Sequence, residues 1–464
     1  MVSVPGNPEV FSREMVRPST RTPDHLRNHS LSFFDQMAPP FYVPLLYLYP
    51  NDGTAPYDDD LVESRTRLLK LSLSKALSTY YPLAGTMTTT TTAGDGHHDP
   101  LTVRCNDEGA LFLQARMMNT PLDSIVGEEA RLRLLFPDDL AFRSTTLSTL
   151  LVVQITSFEC GGMGLAVCAS HKVLDMSSLC SFVNHWAATS AGGPRHRIEQ
   201  SVRFDLAALF PPVSKQVTKT FDPPNVRTVC KRFVFGGPSI GKLKAMMRRH
   251  KIENPTRVEV VLALVCSSAI SAARTCCLSS SSYVGSRSRL GSAFLTQAAN
   301  LRSRLTSPSS TTSSIGNLSS IFAMSIGAGV EMDLISFVST IRRVKTEYFE
   351  TCSEEYSSGK DFRSFIVEST KVFRDAGSSE EPDVAQPRVY ISSSWCNFPI
   401  YKADFGWGKP VRVTTAAQEL KDTIVLLDTR DGDGVEALVC LEEREMTMFQ
   451  CDKMVLTFAD VAYV

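Results

Sequence analysis

The sequence predicts an α/β protein built as two domains. Three observations carry this. The chain is 464 residues long, more than one compact core ordinarily accommodates. Apolar strand-like runs alternate with amphipathic helical patterns on both sides of the middle. A segment rich in Pro and charge, 210–227 (FPPVSKQVTKTFDPPNVR), separates the halves. The domains expected are 1–209 and 230–464, with 210–229 as a crossover linker.

Residues 61–80 repeat apolar side chains at helical intervals (Leu68, Leu69, Leu71, Leu73, Leu77) ahead of YYPLAG, which predicts an amphipathic helix. Residues 147–156 (LSTLLVVQIT) and 164–169 (GLAVCA) are rich in Val, Ile and Leu and bracket the turn-prone Cys160-Gly161-Gly162. They read as two buried strands joined by a turn. Residues 176–188 place Met176, Leu179, Phe182, Val183 and Trp186 on one face, so a helix follows directly. After the linker, strands and helices alternate again to the end. Three polar, small-residue stretches read as exposed loops: the Thr run at 88–92 with AGDGHHDP, the SSSSYVGSRSRLGS segment after Leu278, and 307–314 (SPSSTTSS). His97 and His98 lie in the first of these and read as surface residues. No repeat of 20–50 residues is visible.

Composition narrows the functional classes. The chain is 43% hydrophobic and 21% charged, with a net charge of −1. Such a balance gives no field to gather nucleic acid or an anionic membrane, so an anionic ligand must meet a local cluster of Arg and Lys. The start, MVSVPGNPEVFSREM, lacks the basic-then-apolar pattern of a signal peptide, and the ending AYV matches no retention address. The apolar runs 41–50 and 258–266 fall short of a bilayer span. A cytoplasmic monomer is expected, with no membrane and no nucleic-acid partner. Twelve cysteines without a CxxC pair read as reduced thiols rather than a disulfide framework. Cys276 and Cys277 have no ligand-type neighbour at metal spacing, and no metal is expected.

The sharpest local feature is His171-Lys172-Val173-Leu174-Asp175, placed where a buried strand ends and a helix begins. A rigid strand fixes the backbone there while the side chain stays accessible. An imidazole with an ordinary pKa near 6.5 suits proton abstraction around neutrality. Asp175 precedes the helix and reads as an N-cap, an orienter or a structural anion rather than a proton carrier. A second informative stretch is 392–410 (SSSWCNFPIYKADFGWGKP). Gly406 and Gly408 bracket Trp407, which suits a structural corner. The Trp395 indole beside Ser393 and Ser394 reads either as an ordinary part-buried ring or as a donor toward developing negative charge.

HKVLD followed by DFGWG, in this order and more than two hundred residues apart, resembles the two signatures of the BAHD acyl-CoA-dependent acyltransferases of plants. Further segments agree across the whole chain: LSFFDQ, YYPLAG, SFECGG, KRFVF, TRVEVV, NLRSR, GNLSS and DTRDGDGVEA. Two departures stand out. Thr86 replaces the Arg that usually follows YYPLAG, and Met176 replaces the Gly that often follows HxxxD. Loss of that Gly, with the SFECGG and NLRSR segments, points to the vinorine synthase and salutaridinol acetyltransferase-like branch.

The resemblance implies two chloramphenicol-acetyltransferase-like domains, each a mixed sheet with helices, with a channel between them. His171 matches the family's general base. Asp175 matches an Asp that pairs with an arginine, here Arg302 of NLRSR, and supports the site structurally. Trp395 and Ser393 match residues near the thioester and pantetheine. Thr256 and Arg257 fall where the family binds the 3′-phosphate and ribose of CoA. Asp404 of DFGWG matches a residue sometimes described as a second proton acceptor, a role that physical grounds disfavour. No permanently bound cofactor is implied. The co-substrate is an acyl-CoA, with acetyl-CoA favoured, and the acceptor a hydroxyl of an alkaloid or terpenoid alcohol. The expected reaction is direct attack in a ternary complex. Hydroxycinnamoyl or other aromatic-acyl transfer is the alternative. A non-catalytic relative is a third reading, disfavoured because His171 and Asp175 are both present.

Overall fold

The computed structural model describes residues 6–51, 59–88, 101–138, 149–192, 202–213, 227–280, 291–305, 311–358, 362–375, 387–416 and 420–461. His97, His98, most of the three polar loops and positions 214–226 of the expected linker lie outside them.

The architecture is α/β with two sheet-bearing units, but the chain does not divide at one cut. Unit 1 comprises 1–220, 311–318 and 398–416; unit 2 comprises 221–310, 319–397 and 417–464. Within unit 1 the chain first lays down β1 (Glu9–Val16), β2 (Asn28–Ser30), β3 (Tyr42–Tyr49), β4 (Thr86–Thr88), β5 (Thr102–Arg104), β6 (Ala110–Met117), β7 (Leu151–Phe158) and β8 (Met163–Ser170). It then builds β9 (Thr228–Phe235), β10 (Ala293–Asn300), β11 (Ser319–Ile326) and β12 (Arg388–Ser394) in unit 2, and returns to unit 1 for β13 (Arg412–Thr414). It ends in unit 2 with β14 (Thr423–Asp428), β15 (Val435–Glu442) and β16 (Asp460–Val461). The DFGWG segment therefore belongs to unit 1, not to the C-terminal half where the sequence pattern placed it. The reason is pairing: Arg412, Val413 and Thr414 oppose Leu48, Tyr47 and Leu46. The expected linker is also shorter at its end, because Thr228 and Val229 already pair with Glu442 and Leu441.

In unit 1 the main sheet runs β1-β6-β7-β8-β3-β13, and β2-β5-β4 form a small second sheet. Strands β3 and β7 are buried at every residue and β8 at every residue but the last, which is the mark of strands covered on both faces. Gly161, at φ +79°, makes the β7–β8 turn that CGG announced. The helix Asp59–Thr79 packs on the helix Met176–Ser190. It buries Thr66, Leu69, Leu73, Ala76 and Leu77, whereas Leu68 and Leu71 of the expected stripe are exposed. The Trp186 indole N–H closes this contact by donating to Ser72 Oγ at 3.0 Å.

In unit 2 the sheet runs β11-β10-β12-β14-β15-β9-β16. Its core gathers Phe233, Leu243, Val261, Leu262, Leu264, Val265, Ile341 and Tyr390. The helix Arg257–Ser280 contains a stretch, Arg257–Cys277, long and apolar enough to cross a membrane by length and composition. Most of its apolar side chains, including all of Val260 to Cys266, belong to the unit 2 core. Cys230 and Cys440 form a disulfide. They stand directly opposite each other on β9 and β15, so the expectation that all the cysteines are free thiols is corrected. The other described cysteines form no disulfide among the described residues.

Candidate active site

Strand β8 runs buried to Ala169, and the chain then turns at His171. The His171 amide donates to Phe41 O at 2.8 Å, and Val173 N donates to Ser170 O at 3.0 Å. The helix Met176–Ser190 starts at its N-cap Asp175, whose Oδ1 accepts from Ser178 N at 2.9 Å. A cap of this kind satisfies one of the four orphan amides of the first turn. Lys172, next in sequence, is buried and donates from Nζ to Gln36 O at 2.9 Å. The loop is thus held at both ends and from the side, while the His171 side chain keeps a partly exposed surface. The Phe41 ring stands edge-on to it with centroids 5.5 Å apart.

The partner of the imidazole comes from 146 residues away. His171 Nδ1 lies 3.0 Å from Asn317 Oδ1. Asn317 Nδ2 donates to His171 O at 2.7 Å and to Asp35 Oδ1 at 2.8 Å. Asp35 Oδ1 also accepts from Asn317 N at 2.7 Å, and its Oδ2 accepts from Ser32 N at 2.8 Å and Ser32 Oγ at 2.6 Å. Ser32 caps the helix Phe33–Met37 in a reciprocal box with Asp35. The segment carrying Asn317 is knit to the His171 helix: Asp175 Oδ2 accepts from Leu318 N at 3.0 Å, and Ser178 Oγ donates to Gly316 O at 2.8 Å. Gly316 is at φ +133°, and a Cβ there would meet Leu206 Cδ1 at 2.8 Å and Asp35 Oδ1 at 3.4 Å. Only glycine fits a position that is both left-handed and this crowded.

Burial lowers the His171 pKa from its ordinary 6.5; its own backbone, Asp175 and Asn317 pull it back up, and Lys172 lowers it further. The ring is thereby kept neutral at physiological pH, as a base requires. Burial pushes the Asp35 carboxyl up to about 6 against the pull of its four donors. It brings the Lys172 ammonium down to about 8, with Asp35 opposing.

Asp404 is committed elsewhere. Its Oδ1 accepts from Gly406 N at 2.9 Å and Gly408 N at 3.0 Å, closing the DFGWG corner. Phe405 O accepts from Ser190 Oγ at 2.8 Å, and the Phe405 ring packs on Trp186. This is the far end of the 15-residue helix that His171 precedes, about 20 Å along its axis. The structure does not bring Asp404 to His171.

The remaining expected residues lie in unit 2. The Trp395 indole donates to Ser393 Oγ at 3.1 Å, so the free donor of that pair is the Ser393 hydroxyl hydrogen. Arg302 is buried, with its amide donating to Asn300 Oδ1 at 3.1 Å. Thr256 caps the helix Arg257–Ser280 reciprocally with Glu259: Glu259 N donates to Thr256 Oγ1 at 3.1 Å and Thr256 N to Glu259 Oε2 at 2.9 Å. A cleft of about 450 Å³ opens at this helix start, lined by Lys244, Arg248, Thr256, Arg257 and Asn397 among others. Arg257 itself is occupied. Nη2 donates to Asp428 Oδ1 at 3.0 Å and Asn397 Oδ1 at 3.3 Å, and Nη1 donates to Gly432 O and Gly434 O. The DTRDGDG turn is clamped by this arginine, and Lys244 and Arg248 are the other cations of the cleft.

A family model described as Transferase family matches residues 8–456. The chain belongs to the BAHD acyltransferases. Akuammiline synthase 1 of Alstonia scholaris is 34% identical, with 97% of each chain covered. A 17,18-epoxy-17-hydroxycur-19-ene N-malonyltransferase of Strychnos nux-vomica is 32% identical over 98% of this chain and 90% of its own. Among solved structures, vinorine synthase is 30% identical with a TM-score of 0.77, covering 98% of this chain and 99% of that one. The protein is thus an acyltransferase on an α/β frame of two sheet-bearing units, as the resemblance implied.

Sequence reasoning did not assign roles to Asn317, Asp35, Lys244 or Arg248. LSFFDQ and GNLSS were visible as family-like segments, yet nothing in either says that one side chain would meet the other beneath His171. Lys244 and Arg248 are four apart on the helix Gly237–Arg249, a spacing that one helix face permits but that ordinary solvated helices share.

Proposed function

We propose that this BAHD acyltransferase moves an acyl group from acyl-CoA to a hydroxyl of a specialised plant metabolite, with His171 as general base. The single observation that carries the reading is the His171 ring. Its Nδ1 is engaged by Asn317 Oδ1, and its Nε2 has no partner among the described residues. Nε2 takes the acceptor's proton as the oxygen attacks the thioester carbon. The tetrahedral oxyanion then collapses, the C–S bond breaks, and the CoA thiolate receives the proton back from the imidazolium. The Ser393 hydroxyl, oriented by Trp395, is the donor proposed for the oxyanion. No acyl-enzyme forms.

The nucleotide end of CoA is proposed for the cleft at Thr256. There the helix N-terminus, Lys244 and Arg248 offer positive potential to a phosphate, while Arg257 shapes the turn. Asp175 and Arg302 are assigned structural support. Acetyl-CoA and an alkaloid or terpenoid alcohol are the favoured pair. The relative named for N-malonyl transfer makes malonyl-CoA and an amine the comparison to run. A monomer in the cytoplasm completes the proposal, with the Cys230–Cys440 bridge an uncommon feature for that compartment. The test is a panel of acyl-CoAs and alcohol acceptors read by release of free thiol. Acceptor-dependent thiol release lost in His171→Ala supports the reading, and equal rates for both proteins overturn it.

A further inference from the structure

We infer that Asp35 is a positioning residue that fixes the tautomer of His171 through Asn317. The inference rests on His171 being the base and adds how that base is prepared. Asn317 Nδ2 faces two groups that can only accept in this arrangement, the Asp35 carboxylate at 2.8 Å and the His171 carbonyl at 2.7 Å. Turning the amide over would set its oxygen against both. The amide therefore has one orientation, with Oδ1 toward the ring. Oδ1 can only accept, so Nδ1 must carry the hydrogen, and the lone pair of the neutral ring stands at Nε2.

The same logic reaches one residue further. The Asp35 carboxylate receives four donors, two from Ser32 and two from Asn317, which fill the sites of an ionised carboxylate. Both residues are buried. A buried anion satisfied on all sides cannot rotate without leaving donors unpaired, so it is a rigid reference for the amide. Asp35 never needs to touch a substrate. Its effect on chemistry passes through the amide, and this separates it from a residue that merely stabilises the fold.

The experiment uses the full-length protein labelled with 15N-histidine. Among its 8 histidines, the His171 signals are identified by their loss in His171→Gln. The wild-type ring is expected as the Nδ1–H tautomer, and an Nε2–H ring overturns the inference without any change at Asp35. Asp35→Asn and Asn317→Ala are then expected to mix the tautomers and to lower kcat about 10–100-fold. KM for acyl-CoA should stay within about twofold. The double variant should lose no more than the worse single one, because both break one relay. Multiplying losses, or wild-type kcat in Asn317→Ala with the tautomer unchanged, overturns the inference. Should Asp35→Asn fail to fold, Asn317→Ala and the wild-type spectrum still decide. An active His171→Ala instead removes the base, and the inference falls with it by a different readout.

Discussion

Asp175 Oδ2 accepts the amide of Leu318 at 3.0 Å across 143 positions of sequence. The same carboxylate caps the helix that follows His171 through Oδ1. One side chain therefore holds both the helix start and the segment that delivers Asn317. This gives the Asp of HxxxD a physical task that involves no proton.

Asp175→Ala is expected to lose a cap, worth about 1 kcal/mol, and to leave a buried amide at Leu318 without its acceptor, worth about 1–3 kcal/mol. A lowered Tm and a reduced kcat should appear together, because the Asn317 segment loosens. Asp175→Asn keeps an acceptor for only one of the two amides and should fall between. Thermal melts beside steady-state kinetics check this; an unchanged Tm in Asp175→Ala contradicts the dual role.

His171→Ala should lower kcat about 10²–10⁴-fold while the fold and CoA binding persist. The pH dependence follows from the ring's surroundings. Burial and Lys172 lower its pKa, while Asp175, Asn317 and its own backbone raise it, with a net depression below 6.5. The base form is thus present above the depressed value and is lost as pH falls through it. The acid limb of kcat/KM for the wild type should lie below pH 6.5. A profile already falling above that pH assigns the limb to another group.

The sequence made the HKVLD corner legible because two local signals coincide there. A continuous apolar strand ends, and a 3.6-residue stripe starts behind a capping Asp. The unit boundaries were not legible for the opposite reason. Val413 joins the unit 1 sheet through Tyr47, a pairing between distant stretches that periodicity cannot register. Asn317 and Asp35 meet across 282 positions, and each alone looks like an ordinary turn or cap residue. Cys230 and Cys440 are 210 positions apart, and only the β9–β15 register sets them opposite each other.

Asp404→Asn should retain kcat. Its Oδ1 serves Gly406 N and Gly408 N, and an asparagine oxygen accepts both bonds. A loss of two orders of magnitude with an intact Tm would return a proton-transfer role to this residue. Asp404→Ala is expected to lower Tm only slightly, since the two corner amides it releases are exposed and water can accept from them.

The cleft at the start of the Arg257–Ser280 helix separates charge that binds from charge that shapes. Lys244→Ala and Arg248→Ala should each raise KM for acyl-CoA about 3–10-fold with little change in kcat, an effect that fades as salt rises. Arg257→Ala should behave differently. It takes the cation from Asp428 Oδ1, leaving that carboxylate the Asn397 amide at Oδ2, and releases the carbonyls of Gly432 and Gly434, so Tm falls along with affinity. Equal Tm for all three variants, with Arg257→Ala alone affecting KM, would assign the phosphate to Arg257.

The Cys230–Cys440 bridge joins neighbouring strands in the unit 2 sheet. The chain between them is long, so the cross-link removes freedom mainly from the unfolded state, worth about 2–5 kcal/mol. Cys440→Ser should therefore lower Tm, and a thiol reductant should lower the wild-type Tm toward that of the variant while leaving the variant unmoved. Turnover measured well below both transitions should be equal in the oxidised and reduced enzymes. The bridge lies in unit 2, whereas His171, Asn317 and Asp35 are held together within unit 1. A reductant that abolished activity without moving Tm would show that this bond acts on the chemistry rather than on the sheet.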